Sequence, residues 1–184
     1  MIKRDSGDDI TIWVNRAFVE GDQEEDLVKR QRARPVQSGT WRPSMARDWC
    51  RDHHRVNHAG PNGPYSGGVQ AMFRWADQNS GYFDFGDAAY SQNRGGWREF
   101  VIAGSNSGAN AVYKARLQAK SPPNWNRRAV GTEDVRNDAD WTQHRARSFS
   151  GSWRASSKGK QLCGWPGEGS RWVDYEIVRV NRNV

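Results

Sequence analysis

The chain has 184 residues, a formal net charge of +7 and a hydrophobic content of 35%, which includes ten tryptophans. This length fits one domain, residues 1–184, and the large aromatic rings allow a substantial core in spite of the low hydropathy. No apolar run approaches the about 20 residues of a membrane-spanning helix, and the N-terminus lacks the charged and then apolar pattern of a secretion signal. We therefore predict a protein that is cytoplasmic or is released without a conventional signal peptide.

Arginine dominates the positive charge, with 22 arginines against six lysines. Such a surface attracts nucleic acid, anionic lipid and acidic glycans without selecting among them. The chain has no run of five basic residues, and its arginines alternate with acidic and aromatic residues. This pattern favours a solvated, arginine-rich surface, and a basic nucleic-acid-binding module is kept as the competing interpretation.

The first third of the chain predicts short strands that are separated by polar turns. Apolar residues alternate over Ile10–Phe18, which predicts the first strand, and a second strand is expected at Asp26–Arg34, before Pro35. A further short strand should begin at Trp41. The stretch Asn57–Gly68, which is rich in glycine and proline, then predicts an exposed loop.

The clearest alternation follows this loop and predicts a strand at Val69–Trp75. A turn at Asp77–Gly81 leads into a second strand, Tyr82–Phe85, so that the two segments should form a hairpin.

A polar loop then joins Tyr82–Phe85 to the next predicted strand, Trp97–Ala103. The loop contains Asp87 and Tyr90 beside several glycines, a composition typical of a ligand-binding loop on a rigid sheet. Alternation along the strand predicts one face with Phe100 and Ile102, and an opposite face with Trp97, Glu99 and Val101. Among the aromatic residues, Trp97 and Tyr90 are the candidates to stack on a sugar.

The remaining elements are a strand at Ala111–Leu117, a helix around Asp134–His144 and a last strand at Trp172–Val180. Many short strands that are divided by turns indicate a mainly β fold. We predict an antiparallel β-sandwich with short flanking helices.

A cluster of one cysteine and three histidines, Cys50, His53, His54 and His58, is a weak candidate for a metal site. Its spacing matches no common structural zinc motif, so we predict neither a metal nor another cofactor. Cys50 and the distant Cys163 could pair, although two cysteines are too few to indicate a disulfide framework.

Recognisable catalytic motifs are absent from the sequence. The serine-containing turns GSNSG and SFSGS do not follow a buried strand of a βα unit, and the paired carboxylates are of a kind common on exposed strands. These pairs are Asp84 with Asp87, and Asp174 with Glu176. We therefore predict a protein that is not an enzyme, with an enzyme acting on a glycan or nucleotide as an alternative.

The order of several segments resembles the fungal fruit-body lectins, which share a β-sandwich with the actinoporin pore formers. The resemblance spans about Ile10 to Gly104 and returns at the final segment WVDYEIVRV. The matching segments are ITIWV at Ile10–Val14, SGTW at Ser38–Trp41, YSGGVQAMFRW at Tyr65–Trp75 and FGDAAYSQNRGGWREFVIAG at Phe85–Gly104. The resemblance implies an actinoporin-like fold and carbohydrate binding without catalysis.

The resemblance also implies two sugar sites. The first, for galactose and N-acetylgalactosamine, would combine Asp87 or Tyr90 with a loop formed by Asn62, Gly63, Ser66 and Gly67. The second, for N-acetylglucosamine, would use Glu99, which follows Trp97 by two positions. The family has aspartate in place of Glu99 and a threonine in place of Ile102, so the sugar preference of this second site is expected to differ.

The actinoporin side of the resemblance adds Tyr113, which would help to hold a phosphocholine headgroup. Actinoporin-like membrane binding or pore formation is therefore an alternative function, although only about nine polar residues precede the first predicted strand. The expected partners are glycans on glycoproteins or glycolipids, and a membrane surface is a secondary candidate. A homo-oligomer is expected, because a single sugar in a shallow site is held weakly.

Overall fold

The computed structural model describes residues 2–3, 9–10, 32–35, 40–85, 96–104, 110–118, 128–164 and 169–180. This part of the chain is mainly β-structure, its strands pair in antiparallel sheets, and it contains two helices. The prediction of a mainly β, antiparallel fold is therefore confirmed. No helix in these ranges is long and apolar enough to cross a membrane.

The largest sheet has six strands, and each strand is antiparallel to its neighbours. It positions the other elements of the structure. From one edge to the other, the order is β3 (Arg32–Pro35), β7 (Arg98–Gly104), β8 (Asn110–Leu117), β13 (Arg171–Val180), β12 (Ser157–Cys163) and β5 (Cys50–Asn57).

Two helices lie against one face of this sheet. Helix α1 spans Ser66–Gln78 and packs on β3, β7 and β8, whereas α2 spans Thr132–Gln143 and reaches β5. The helices also pack on each other. Most of the buried apolar side chains therefore form one core between the helices and the sheet, with Val69, Met72, Val135, Tyr113 and Ile177 among them.

Smaller sheets complete the described fold. A three-stranded sheet has the order β4 (Thr40–Pro43), β6 (Gly81–Asp84) and β9 (Ala129–Gly131). Phe83 of β6 stacks on Phe100 of β7 with 5.0 Å between the ring centres, and this contact joins the smaller sheet to the main core. Two further strand pairs are β1 (Ile2–Lys3) with β2 (Asp9–Ile10), and β10 (Arg147–Phe149) with β11 (Ser152–Arg154).

The predicted strand Val69–Trp75 is wrong, because this segment lies within helix α1. The apolar residues alternate, but they also recur at helical spacing, and the helix buries Val69, Met72 and Ala76 on one face. A hairpin with Tyr82–Phe85 is therefore wrong as well. The segment Asn57–Gly68 is a loop only in its middle, since Asn57 ends β5 and Ser66 begins α1.

Most other predicted elements agree with the structure. The strand expected from Trp41 is β4, and part of the second predicted strand, Asp26–Arg34, is found as β3. The first predicted strand, Ile10–Phe18, lies outside the described residues beyond Ile10. The remaining predictions are confirmed to within two residues, namely the strands Tyr82–Phe85, Trp97–Ala103, Ala111–Leu117 and Trp172–Val180, and the helix Asp134–His144.

A bulge in β7 changes the predicted division of its faces. Glu99 lies opposite Lys114 and Val101 lies opposite Tyr113, which are successive residues of β8. Because successive residues of a strand point to opposite faces, Glu99 and Val101 do so as well. Phe100 is the extra residue at this bulge, so the prediction that Val101 shares the face of Glu99 is wrong.

Candidate functional site

Strand β5 forms one wall of the candidate site, and a bulge decides which of its side chains face the helices. The pairing of β5 with β12 shifts by one residue at Asp52, which has a φ of 54°. Aspartate is among the residues that best tolerate this left-handed conformation. A regular strand would place Cys50 and His53 on opposite faces. With the bulge, Cys50, His53 and Arg55 all face the helical layer.

The first residue of β5 is fixed to the first turn of α2. The carboxylate of Asp134 accepts hydrogen bonds from the backbone N–H groups of Trp49 at 3.0 Å, Cys50 at 3.1 Å and Gly131 at 2.7 Å. Burial raises the pKa of Asp134 well above its usual value, and the N–H groups oppose this shift. A disulfide between Cys50 and Cys163 ties β5 to β12 at the same level. The two cysteines, which the sequence left unassigned, are therefore paired.

A cleft of about 550 Å³ lies between β5 and the C-terminal half of α2. At one end, Asn57 donates a hydrogen bond to the carbonyl oxygen of Arg145 at 3.4 Å. The lining side chains include an aromatic ring, an amide, a carboxylate, two imidazoles and two guanidinium groups. They belong to His53, Arg55, Asn137, Asp140, Trp141, His144 and Arg145.

Asp138 of α2 lies fully buried behind this cleft. Its Oδ1 accepts a hydrogen bond from Arg55 Nε at 2.8 Å, and its Oδ2 accepts one from the Tyr113 hydroxyl at 2.8 Å. Burial raises the pKa of Asp138, whereas the adjacent Arg55 guanidinium lowers it. Burial and the neighbouring carboxylate also raise the pKa of Tyr113 well above its usual value, so that its hydroxyl remains a donor.

A chain of hydrogen bonds connects this buried carboxylate to His53. Gln161 Nε2 donates to the Tyr113 hydroxyl at 2.9 Å, and Gln161 Oε1 lies 2.8 Å from His53 Nδ1. The His53 side chain is 20% exposed, so one part of the ring belongs to the buried network while another part reaches the cleft. The network thus links the interior of the protein to a group that a ligand can contact.

The rim of the cleft is stabilised by contacts between the last turn of α2 and the two residues that follow it. His144 Nδ1 lies 2.8 Å from the carbonyl oxygen of Asp140 and 3.4 Å from its carboxylate. The Arg145 guanidinium stacks on Trp141 at 3.9 Å from the ring centre and donates to the carbonyl oxygen of Trp141 at 3.0 Å. Cations near a helix C-terminus are favoured by the helix dipole. The positive groups of the cleft are therefore largely compensated by partners within the protein.

The loop residues of the predicted galactose site do not share one surface. Asn62 is exposed, and the carbonyl oxygen of Gly63 accepts a hydrogen bond from Arg154 at 3.0 Å. Ser66 and Gly67 are buried in the first turn of α1, where a sugar cannot reach them. Asp87 and Tyr90, which were predicted to complete this site, lie outside the described residues.

Trp97 and Glu99 lie near β8 on the face of the large sheet that points away from the helices. Lys114 Nζ and Arg116 Cζ approach the Trp97 ring to 5.0 Å and 4.6 Å from its centre. Tyr113, by contrast, is fully buried on the helical face, bonded to Asp138. The structure thus brings Trp97 and Glu99 together and separates them from Tyr113, which cannot contact a headgroup at the surface.

The residues of the weak metal candidate do not converge on one point in this arrangement. Cys50 is bonded to Cys163, and successive positions of a strand direct His53 and His54 to opposite faces. His53 contacts the buried network, whereas the ring of His54 packs beside Trp172. Within the described ranges, no group of three or more histidine, cysteine, aspartate or glutamate side chains could hold a metal ion.

Sequence reasoning missed most of the cleft, in particular Arg55, Asp138 and Trp141. A usable signal was present in the predicted helix, since Asp134 and Asp138 recur at helical spacing on the side that also carries Val135. Carboxylates on the apolar side of an amphipathic helix must have buried partners, because burial of an unpaired charge is costly. The cationic residues of the CRDHHR segment were available as such partners.

Comparison of the chain with models of known protein families gives no match, and comparison with curated proteins gives no significant match.

Proposed function

We propose that the protein is a carbohydrate-binding protein that recognises a neutral sugar in the cleft between β5 and α2, without changing it chemically. The observation that carries this proposal is the composition of the cleft. An aromatic ring, Trp141, lies among hydrogen-bonding groups whose charges already have partners. Sugars present alternating apolar C–H patches and hydroxyl groups, and such a lining complements both.

The compensated charges favour a neutral ligand over a phosphate or a nucleic acid. Arg55 is paired with Asp138, His144 lies beside Asp140, and Arg145 is held on the Trp141 ring. An anionic ligand would have to compete with these internal partners. Hydroxyl groups instead need donors and acceptors at fixed positions, and the side chains of Asn137 and Asp140 supply both kinds at the rim.

The resemblance to fungal fruit-body lectins makes galactose-type sugars the first ligands to test. It also suggests glycans on glycoproteins or glycolipids as the natural partners, and several copies in a homo-oligomer would raise the affinity for them. The actinoporin-like β-sandwich stays a prediction, since the layer beside the large sheet contains two helices in the described chain.

A glycan array followed by calorimetry with matched tryptophan variants tests the proposal. Trp141→Ala removes the ring in the cleft and should weaken sugar binding by about tenfold or more. Trp97→Ala removes a similar ring on the opposite face of the sheet and should leave the affinity within about twofold of wild type, as expected for a residue that does not contact the ligand. Binding should also change little with salt, since exposed charges contribute little to it.

Two results would contradict the proposal in different ways. An array without any bound glycan rejects carbohydrate binding. Loss of binding in Trp97→Ala but not in Trp141→Ala would still indicate a lectin, but its site would lie on the outer face of the sheet. Glu99, which the resemblance assigns to a second sugar site, lies on that face.

A further inference from the structure

We propose that His53 determines the specificity of this cleft by presenting its Nε2 as a hydrogen-bond acceptor to one ligand hydroxyl. Asp138, Tyr113 and Gln161 hold the ring in the tautomer that has its proton on Nδ1. The assignment follows from the direction of each hydrogen bond, starting at the buried carboxylate. It rests on the proposed function for the identity of the ligand, but not for the state of the imidazole.

The Tyr113 hydroxyl has one proton, and the fully buried carboxylate of Asp138, 2.8 Å away, can only accept. Tyr113 therefore donates to Asp138 and must act as an acceptor toward its other neighbour. That neighbour is Gln161, whose amide lies 2.9 Å from the hydroxyl oxygen.

The orientation of the Gln161 amide follows from this. Its NH₂ group has to point to Tyr113, which leaves its carbonyl oxygen Oε1 to face His53 at 2.8 Å. A carbonyl oxygen accepts only, so Nδ1 of His53 must carry a proton. In a neutral imidazole the proton on Nδ1 leaves Nε2 with a lone pair.

A second contact supports the same assignment independently. Asp138 Oδ1 lies 3.7 Å from His53 Nδ1. A lone pair on Nδ1 would face this carboxylate and the electrostatic interaction would be repulsive, whereas an N–H group is attracted by it. Either acceptor alone favours the proton on Nδ1, and the two act together.

The partial exposure of the His53 ring in the cleft makes the assignment relevant to a ligand. His53 lines the cleft, and no residue in the described part of the chain hydrogen-bonds its Nε2. A bare imidazole nitrogen accepts a hydrogen bond and offers no proton. It therefore selects a ligand group that donates at this point, such as a hydroxyl, and it rejects an ether or a carbonyl oxygen there.

Nitrogen-15 NMR of the histidine side chains tests the tautomer without any ligand. The protein has four histidines, and a His53→Gln variant identifies the signal of His53 by its loss. For the neutral ring we expect the tautomer that is protonated at Nδ1 and bare at Nε2. A ring protonated at Nε2 overturns the proposal. Exposed His58 provides an internal reference, because its ring is not held by this network.

A binding cycle tests the contact itself. Methyl galactoside and its monodeoxy analogues are titrated into wild type and into His53→Phe. For wild type, removal of one particular hydroxyl should weaken binding by about fivefold to tenfold, the value of a hydrogen bond to a neutral group. For His53→Phe, the same removal should change nothing further. Rescue is tested with His53→Gln, whose side-chain carbonyl supplies an acceptor.

The outcomes separate the inference from the function on which it rests. Sugar binding with no hydroxyl coupled to His53 overturns the specificity role and leaves carbohydrate binding intact. Absence of binding to any glycan rejects the proposed function and with it the hydroxyl contact. The NMR measurement decides the state of the ring in either case.

Discussion

Removal of the disulfide between Cys50 and Cys163 should lower the free energy of unfolding by several kcal/mol while the fold persists. The bond joins residues that lie 113 positions apart in the sequence. In the chain-entropy description, closing a loop of this length removes about 16 cal/mol/K from the unfolded chain, which corresponds to about 5 kcal/mol at about 25 °C. A folded domain is stabilised by only about 5–15 kcal/mol in total, so this one bond is a large part of it.

The folded state should change little when the bond is removed, because other contacts hold the same position. Cys50 N–H donates to Asp134, and Gly164 N–H donates to the carbonyl oxygen of Trp49 at 3.0 Å. The ladder between β5 and β12 also continues on both sides of the bulge. Alanine is the preferred replacement, since both positions are buried and a serine hydroxyl would need a new partner there.

Equilibrium denaturation followed by tryptophan fluorescence measures the effect. The variant with Cys50→Ala and Cys163→Ala should lose about 3–5 kcal/mol relative to wild type, and reduced wild type should lose a similar amount. The slope with denaturant should increase, because the unfolded chain without the bond exposes more surface. Reductant should have no effect on the double variant, which is the control for side effects of the reagent.

A double variant whose free energy of unfolding lies within about 1 kcal/mol of wild type would contradict this expectation, because that difference is too small for a loop of this length. The expectation is also refuted if alkylation of the unfolded, unreduced protein labels both cysteines, because the bond would then be absent from the protein. Intact bonds of this kind persist mainly in oxidising environments.

Two further predictions concern the packing and the charge that position β5. Gly159→Ala should destabilise the protein by about 2 kcal/mol or more in the same denaturation assay. A Cβ atom at this position would overlap the carbonyl group of His54 and lie 2.8 Å from the ring of Tyr175. Gly96→Ala, where a Cβ atom meets nothing within 4 Å, is the control, and equal effects of the two changes would contradict the packing argument. Burial raises the pKa of Asp134 in the folded state, so the folded protein binds this proton more tightly than the unfolded chain does. The free energy of unfolding of wild type should therefore fall as the pH rises from the usual aspartate pKa of about 3.9 through the raised pKa. Asp134→Asn should flatten this dependence and lower stability by about 2 kcal/mol through the loss of an N–H acceptor, whereas exposed Asp52→Asn should retain the slope.

Alternation in the sequence predicted those strands whose two faces differ clearly. Trp172–Val180 is an example, with Val173, Tyr175 and Ile177 buried toward the helices and Asp174 on the opposite face. The method failed at Val69–Trp75, since the same residues also satisfy the helical period and the buried partners of Val69 are distant in sequence. Periodicity alone cannot choose between two periods that one segment satisfies.

The candidate site was less accessible to sequence reasoning than the fold. The segment CRDHHR consists mainly of polar residues, and the bulge at Asp52 breaks the alternation of faces along it. The sequence therefore shows no alternating pattern that would identify this segment as a strand. Tyr113 was interpreted as a surface ligand contact, but its partner Asp138 comes from a helix 25 residues further along the chain. A buried polar network depends on side chains from several distant elements, and local pattern does not show how they meet.

The buried carboxylate of Asp138 itself enforces the register of β5. If the strand slipped by one residue, His54 and Val56 would face α2 in place of His53 and Arg55. Asp138 would then lose the guanidinium that pairs with it at 2.8 Å, and an uncompensated buried charge costs several kcal/mol, about 3–5 where such pairs have been broken. The disulfide acts mainly on the unfolded chain, whereas Asp138 discriminates between folded registers. The same ion pair that supports the His53 network thus also selects the strand alignment on which that network depends.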